Sequence, residues 1–221
     1  MVQFWHEQTS RAGKREEMTV NQYEKKNNRE PEQKLTWQET VVTYLHDWVY
    51  LLFVVLIVFL LFFRVIVVSG DSMFSTLWDG DYVLLLSNLF YREPQPGDII
   101  VVSKDSFDNG SPIVKRVIAR EGQTVDIDFD RGIVYVDGKA LDEPYIHNAT
   151  TNSEGMVFPL TVEENCIFAL GDNRQVSRDS RDPVIGQIDE REVLGKALVL
   201  MFPGTSHDNY SRDFSRMGGI S

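Results

Sequence analysis

Several features that would assign the chain to other protein classes are scarce in its sequence. There is one cysteine, Cys166, so the chain can form no internal disulfide and no metal site built from several cysteines. The four histidines are scattered without the spacing of metal ligands. Positive charge is also in deficit, because 22 Lys and Arg stand against 33 Asp and Glu, for a formal net charge of -11. We therefore predict no nucleic-acid partner, since phosphate binding needs a basic surface.

One segment is uniformly apolar. It runs from Trp48 to Phe63 without a charged residue, and its about 16 residues would form a helix of roughly 24 Å, slightly short of a bilayer core. Extension back to Val41 reaches spanning length. Aromatic side chains would then form a belt at that interface: Trp37, Tyr44, Trp48 and Tyr50. We predict a transmembrane anchor over residues 41–64.

Three other interpretations of this segment explain the sequence less well. A buried core helix can also be apolar all round. A cleaved secretory signal would place its cleavage site near Val67 and Ser69, but the leader before the apolar run is too long and Arg64 interrupts the approach. A helix lying flat in the interface needs a polar face, which this segment lacks. The spanning anchor explains the sequence best.

The anchor divides the chain into a short tail and a large domain. Residues 1–40 form a polar tail, expected in the cytoplasm because basic residues near a short terminal segment favour that side. Residues 65–203 are then expected to form a large extracytoplasmic domain, on the extracellular side of the cell membrane. Residues 204–221 are polar and rich in Gly and Ser, which predicts a flexible C-terminal tail.

The large domain is predicted to be mainly β, as an antiparallel sheet. Dipeptides such as Asp79-Gly80 and Asp137-Gly138 tolerate the positive φ of tight turns, and they separate short β-branched runs. The runs predict strands at 65–68, 82–86, 99–102, 113–118, 125–127, 133–136, 167–170 and 197–202.

Three polar features could carry chemistry. Ser72 lies in the turn SGDSM after the anchor, although a lone serine there is more often a turn-forming hydroxyl than a nucleophile. Lys115 lies in the predicted strand IVKRVIA, where burial would lower its pKa to nearer 6 and make it a base, or where it could simply snorkel to solvent. The loop GDNRQVSRDSR from Gly171 is a solvated turn or a support for such a pair.

Together these segments resemble the bacterial type I signal peptidases, proteases with a Ser/Lys dyad. The matching stretches are SGDSM from Ser69, PGDIIVV from Pro96, VKRVIAREGQTV from Val114 and GDNRQVSRDSR, and the resemblance covers residues 48 to about 202. It implies that Ser72 is the acylated nucleophile and Lys115 the general base. It also implies supporting roles for a hydroxyl that orients the lysine and for an ion pair: Ser177, and Asp179 with Arg181.

The resemblance also implies the partners and the reaction. The enzyme would cut signal peptides from translocated preproteins after a small residue, at the lipid bilayer and in proximity to the protein translocation channel, with no metal or organic cofactor. A lysine in place of the histidine of endoplasmic-reticulum relatives resembles the bacterial branch, and a single anchor is similar to the Gram-positive form.

The chain departs from the family pattern at two places. Ser75 replaces the usual proline, and Gly70 stands where some relatives carry a hydroxyl that helps to bind the oxyanion. The oxyanion donors are therefore predicted among Ser72, Gly70 and Ser69. Apolar side chains near the nucleophile predict a substrate pocket: Met73, Phe74 and Trp78.

Two rival functions are also compatible with these residues. A self-cleaving repressor-type protease shares the Ser/Lys dyad, but it is soluble and carries a DNA-binding domain, which the anchor and the acidic charge disfavour. An anchored binding or structural β-domain whose catalysis has decayed is the other, and Ser75 is the hint toward it. Acylation of Ser72 separates an active enzyme from a decayed relative.

Overall fold

The computed structural model of the chain describes residues 36–205 and 211–220. The predicted N-terminal tail lies outside the described residues up to position 35, as do positions 206–210 and 221 of the predicted C-terminal tail. The chain divides into two compact units, Met1–Val54 and Val55–Ser221.

A single helix, α1, spans Trp37–Phe62. It begins at a capping box, in which the Thr36 hydroxyl accepts from Glu39 N at 3.4 Å and the Glu39 carboxylate accepts from Thr36 N at 2.8 Å. None of its 26 residues is buried, and its most apolar 18-residue window has a mean hydropathy of 2.4. It is the one helix of the described residues that is long and apolar enough to cross a membrane. It starts earlier than the predicted boundary at 41, because the polar first turn is stabilised by this cap.

The large sheet is antiparallel throughout its ladders, which confirms the predicted fold class. Its strand order is β1-β2-β11-β3-β4-β9-β10, and β12 pairs with β11. The strands are β1 (Phe63–Val67), β2 (Tyr82–Ser87), β3 (Ile99–Val102), β4 (Ile113–Arg120), β9 (Cys166–Leu170), β10 (Ile188–Asp189), β11 (Val193–Phe202) and β12 (Gly218–Gly219).

A second antiparallel sheet has the order β7-β6-β5-β8. Its strands are β5 (Thr124–Asp128), β6 (Ile133–Val136), β7 (Lys139–Ala140) and β8 (Leu160–Thr161). Its apolar side chains pack with those of β4 and β9 in one cluster, which includes Val125, Val134, Ile118 and Phe168.

The middle of the large sheet is buried on both faces. In β3, Ile99 and Val101 belong to one apolar cluster, whereas Ile100 and Val102 belong to another. The period-2 alternation of a strand sends neighbouring side chains to opposite faces, so an unbroken apolar run indicates a strand covered on both sides. Strand β4 lies next to β3, and its central residues are buried as well.

Residues 211–220 differ from the predicted flexible tail. A short 3-10 turn at Phe214–Arg216 precedes β12, and the Ile220 N–H donates to the Leu198 carbonyl at 3.0 Å. β12 consists of two glycines, so the sequence there has no alternation of apolar residues that would predict a strand paired with β11. We refer to residues 211–220 as the C-terminal segment.

Candidate active site

The turn after β1 presents Ser72 from a well-packed base. Two apolar side chains of the turn, Met73 and Leu77, are fully buried in the core cluster under β2, β3 and β11. The Leu77 N–H donates to the Met73 carbonyl at 2.8 Å, which closes one helical turn. Gly70 adopts a φ of 83°, a left-handed conformation that favours glycine. Local backbone chemistry therefore fixes where Ser72 points.

Strand β4 brings Lys115 to this serine. Lys115 Nζ donates to Ser72 Oγ at 3.0 Å and to the Val114 carbonyl oxygen at 2.9 Å. The side chain is buried, with 2% of its surface exposed. The two residues predicted as nucleophile and base are thus hydrogen-bonded, and the alternative of a lysine that snorkels to solvent is wrong.

Burial also changes the acidity of this lysine. It lowers the pKa of Lys115 from 10.5 to about 8, because the ammonium loses its hydration. The negative charges of Asp179, Glu154 and Asp172 act in the opposite direction and raise the pKa. The expectation of a pKa nearer 6 neglected these carboxylates, which sequence alone could not place near the amine.

The polar loop from Gly171 to Arg181 packs against the serine turn. Asn173 N donates to the Ser72 carbonyl oxygen at 3.0 Å, and Asn173 Nδ2 donates to the Asp71 carbonyl oxygen at 3.1 Å. At Gly171 a Cβ atom would overlap Ser177 and the Ser72 carbonyl oxygen, so the close approach requires glycine. The loop therefore holds the backbone of Ser72 directly.

The predicted ion pair is present in this loop. Arg181 Nε lies 2.8 Å from Asp179 Oδ1, and both side chains are fully buried. The other Asp179 oxygen accepts from Gly171 N at 3.0 Å, while Arg181 also donates to the carbonyl oxygens of Arg174 and Ser177. The pair thus ties both ends of the loop together.

Ser177 differs from its predicted arrangement. It is fully buried, but its hydroxyl oxygen has no hydrogen-bond partner among the described residues, Lys115 included. The Lys115 amine is instead hydrogen-bonded to Ser72 and to the Val114 carbonyl. A buried hydroxyl without a partner is unfavourable, so this oxygen remains available to the amine if either group moves.

The predicted oxyanion donors are separated by the structure. Gly70 N donates to Asp79 Oδ1 at 2.8 Å, so this N–H is already engaged in the structure, and its role as an oxyanion donor stays a prediction. The Ser72 N–H has no hydrogen-bond acceptor among the residues that are described. Ser69 is exposed, and it borders the same cavity as Ser72.

A cavity of about 340 Å³ opens beside Ser72 and Lys115. The predicted pocket residues do not line it: Met73 is buried in the core, and Phe74 and Trp78 are half-buried elsewhere on the turn. The prediction rested on nearness in sequence, whereas the walls come from β1, β3 and β4. Its lining residues are Ile66, Val67, Val68, Ser69, Ser72, Val101, Pro112, Ile113, Val114 and Lys115.

Sequence reasoning missed a buried ionic network beside the dyad. Arg116 donates from Nε and Nη2 to the two Asp172 oxygens at 2.9 and 2.8 Å. Arg174 pairs with Glu143 at 2.6 Å. Asp172 and Arg174 could have been found because both stand in the loop motif, whereas no motif contains Glu143. Among residues 36–205 and 211–220, no group of three or more His, Cys, Asp or Glu side chains could hold a metal ion.

The turn also contains the substitution noted at Ser75. The peptide bond between Phe74 and Ser75 is cis. The Ser75 hydroxyl donates to the carbonyl oxygen of Tyr145 at 3.2 Å.

Comparison with known proteins assigns the family. The family model described as signal peptidase, peptidase S26, matches residues 37–202. Signal peptidase I of Bacillus licheniformis is 33% identical over 171 residues, which cover 72% of this chain and 89% of that protein. Probable signal peptidase I-1 of Synechocystis sp. is 36% identical over 145 residues, 62% of this chain and 70% of that protein. A crystal structure of a signal peptidase I from Enterococcus faecalis V583, with 31% identity, covers 47% of this chain and 96% of its own at a TM-score of 0.38. Because the family model spans most of the chain, this protein belongs to the signal peptidase family, peptidase S26, and is a serine protease.

Proposed function

We propose that this protease removes signal peptides through an acyl-enzyme on Ser72, with Lys115 as its general base. Membership of the family supports signal peptidase I activity and preprotein signal peptides as substrates. The observation that carries the mechanism is the 3.0 Å contact between Lys115 Nζ and Ser72 Oγ, made by a lysine with 2% of its surface exposed.

The first half of the reaction forms the acyl-enzyme. Neutral Lys115 accepts the hydroxyl proton of Ser72 as Oγ attacks the scissile carbonyl carbon. The negative oxygen that results is stabilised by the Ser72 N–H, with the Ser69 hydroxyl as the second donor. The carbon–nitrogen bond then breaks, and the Lys115 ammonium returns its proton to the leaving amine. The signal peptide remains attached to Ser72 as an ester.

The second half releases the signal peptide. Lys115, neutral again, takes a proton from a water molecule as that water attacks the ester carbonyl. The ester bond breaks, and Ser72 Oγ receives the proton from Lys115. Asp179 with Arg181 keeps the loop around the amine rigid. The Ser177 hydroxyl, which has no partner in the resting structure, orients the amine by accepting a hydrogen bond from it during the reaction.

Specificity is assigned to the cavity beside the dyad. Its volume of about 340 Å³ and its apolar walls, among them Val68, Val101 and Val114, suit small side chains one and three residues before the cut. Peptides with Ala at both places should be cut faster than peptides with Leu or Phe. Equal rates would contradict this assignment.

The helix and the family support a membrane-anchored enzyme. We assign the N-terminal side of α1 to the cytoplasm and the catalytic domain to the outer face, near the bilayer and the translocation channel. A cysteine placed at exposed Ser106, in a Cys166→Ala background, should react with a membrane-impermeant thiol reagent on intact cells. Reaction only after lysis would contradict this orientation.

One experiment tests the function as a whole. The full chain in detergent is incubated with a preprotein, and the mass of the new N-terminus locates the cut. Ser72→Ala should abolish both cleavage and acylation of the protein by a serine-reactive probe. An unlabelled wild-type protein would indicate a decayed relative instead.

A further inference from the structure

The C-terminal segment is tied to the part of the domain that carries the nucleophile. It lies beyond residue 202, where the family match ends. β12 adds to the sheet by pairing with Val199 and Leu200 of β11. Two residues before β12, the 3-10 turn projects Arg216 toward the serine turn.

Arg216 makes a dense set of contacts at the far end of that turn. Its guanidinium donates to the two Asp81 oxygens at 2.7 and 3.1 Å and to the Thr76 carbonyl oxygen at 3.2 Å. It also lies over the Trp78 ring, 3.8 Å from the ring centre. A planar guanidinium can satisfy a carboxylate, a carbonyl and an aromatic face at once, which an ammonium cannot.

Asp81 connects this contact to the backbone of the turn. Its side chain is fully buried, and Oδ2 accepts from Trp78 N at 2.7 Å while Oδ1 accepts from Gly204 N at 2.6 Å. A buried carboxylate needs a cation and hydrogen-bond donors to stay charged. Arg216 supplies the cation, so the place of Trp78 depends on a residue from the C-terminal segment.

Thr76, whose carbonyl oxygen Arg216 contacts, is about one helical turn from the nucleophile. The Met73 carbonyl accepts from Thr76 N at 2.9 Å and from Leu77 N at 2.8 Å, so movement at Thr76 is transmitted to the residue that follows Ser72. At the other end of the turn, Asn173 holds the Ser72 carbonyl. The turn that carries Ser72 is therefore held at one end by the polar loop and at the other end by Arg216.

We propose that Arg216 is a positioning residue for Ser72, acting through Asp81 and Thr76 to keep the nucleophile within reach of Lys115. This inference rests on the proposed role of Ser72. Arg216 does not line the cavity beside the dyad. Its loss should therefore lower the rate of acylation without weakening substrate binding.

The test measures kcat and KM of the full chain with a signal-peptide substrate. Arg216→Ala should lower kcat on the order of tenfold to a hundredfold, the effect expected from a displaced reacting group, and leave KM within about twofold. The matched control is Arg212→Ala, which removes the same charge from the same segment. Arg212 donates to the Pro203 carbonyl and packs over Phe202, so this variant should keep wild-type kcat.

Conservative replacement and chemical rescue separate positioning from general stability. Arg216→Lys keeps the positive charge but loses the planar arrangement of guanidinium donors, so its kcat should lie between those of the wild type and Arg216→Ala. Methylguanidinium at low millimolar concentration should restore part of the kcat of Arg216→Ala and leave Arg212→Ala unaffected.

Folded Arg216→Ala with wild-type kcat would overturn the proposal. If Arg216→Ala does not fold, Arg216→Lys is measured instead. A wild-type kcat in Arg216→Lys would also overturn the proposal. A wild-type protein that is not acylated at Ser72 would instead refute the proposed function itself, which distinguishes the two failures.

Discussion

Lys115 and Arg116 are neighbours on β4, and both are buried to the same extent, yet their surroundings give them opposite properties. Arg116 meets a carboxylate with two hydrogen bonds, at 2.9 and 2.8 Å from Asp172, and lies 3.9 Å from the centre of the Tyr145 ring. Lys115 contacts a hydroxyl and a carbonyl instead, and among the described residues no carboxylate lies within ion-pair distance of it. A buried cation with a partner stays charged and supports structure, whereas one without a partner loses affinity for its proton.

The same contrast divides the whole site. The arginines of the polar loop, Arg174 and Arg181, are paired with Glu143 and Asp179 at 2.6 and 2.8 Å. The Ser177 hydroxyl beside them has no partner. The paired arginines and carboxylates form a structural frame, whereas Lys115 and Ser177, which have no carboxylate and no hydrogen-bond partner respectively, lie beside Ser72. Incomplete pairing is what a site needs if its groups are to exchange protons.

The largest effect is expected when the unpaired cation is replaced. Lys115→Arg should lower kcat/KM about a thousandfold, nearly as much as Lys115→Ala, because guanidinium cannot accept the Ser72 proton at a workable pH. Lys104→Arg is the matched control. Lys104 pairs with Glu192, so a guanidinium in place of its ammonium should keep this ion pair and leave kcat/KM unchanged. Substantial cleavage by Lys115→Arg would move the search for a base to His147.

Removal of the paired cation should affect stability first. Arg116→Met leaves the buried Asp172 carboxylate without its partner, so the free energy of unfolding should fall by about 3 to 5 kcal/mol. Urea denaturation at pH 7 measures the loss. Adding Asp172→Asn should recover part of it, because the orphaned charge is gone. A loss below about 1 kcal/mol would mean that the ion pair is not part of the frame.

Replacement of Lys115 by an apolar residue should raise the free energy of unfolding, which is the opposite of the effect expected at Arg116. Below its lowered pKa of about 8, Lys115 is a buried ammonium in the folded protein. Between about 8 and 10.5 this lysine is protonated in the unfolded chain but neutral in the folded protein. The free energy of unfolding of the wild type therefore rises with pH in that window. Lys115→Met should be more stable than wild type at pH 7, by on the order of 1 to 3 kcal/mol. The gain should shrink toward pH 10.5, and urea denaturation at several pH values would detect a missing trend.

The smallest effect is expected at Ser177. Its hydroxyl makes no hydrogen bond in the resting structure, so Ser177→Ala should change the free energy of unfolding by less than about 1 kcal/mol. During the reaction a hydrogen bond to the amine would be lost, which should lower kcat on the order of fivefold. Unchanged kcat would remove Ser177 from the reaction.

Parts of this fold follow from local patterns. Strands β3 and β6 have the predicted bounds, Ile99–Val102 and Ile133–Val136, because each is a β-branched run between turn residues. Strand β11 was predicted to start at 197 but begins at Val193, because Gly195 interrupts the pattern. That glycine allows close approach of the Leu86 backbone, a contact with a distant strand that no local pattern reports. Two-residue strands such as β7 and β10 are too short to show a period.

The site was predictable in its residues and not in its contacts. Ser72, Lys115 and the Asp179–Arg181 pair stand in motifs, and the structure brings them together. The cavity was not predictable, because its walls are assembled from three strands that are neighbours only after folding. The contacts of the C-terminal segment were not predictable for the same reason, because Arg216 meets Asp81 across most of the domain sequence.

If Lys115 acts as a neutral amine, the rate of Ser72 acylation should follow the deprotonation of this side chain. Burial lowers the pKa of Lys115 to about 8, and the base form appears as pH rises through that value. The single-turnover acylation rate should therefore increase with pH and level off above a single apparent pKa near 8. A rate that is independent of pH between about 6 and 10, or one that rises only with the pKa of an ordinary lysine near about 10.4, would show that neutral Lys115 is not the base.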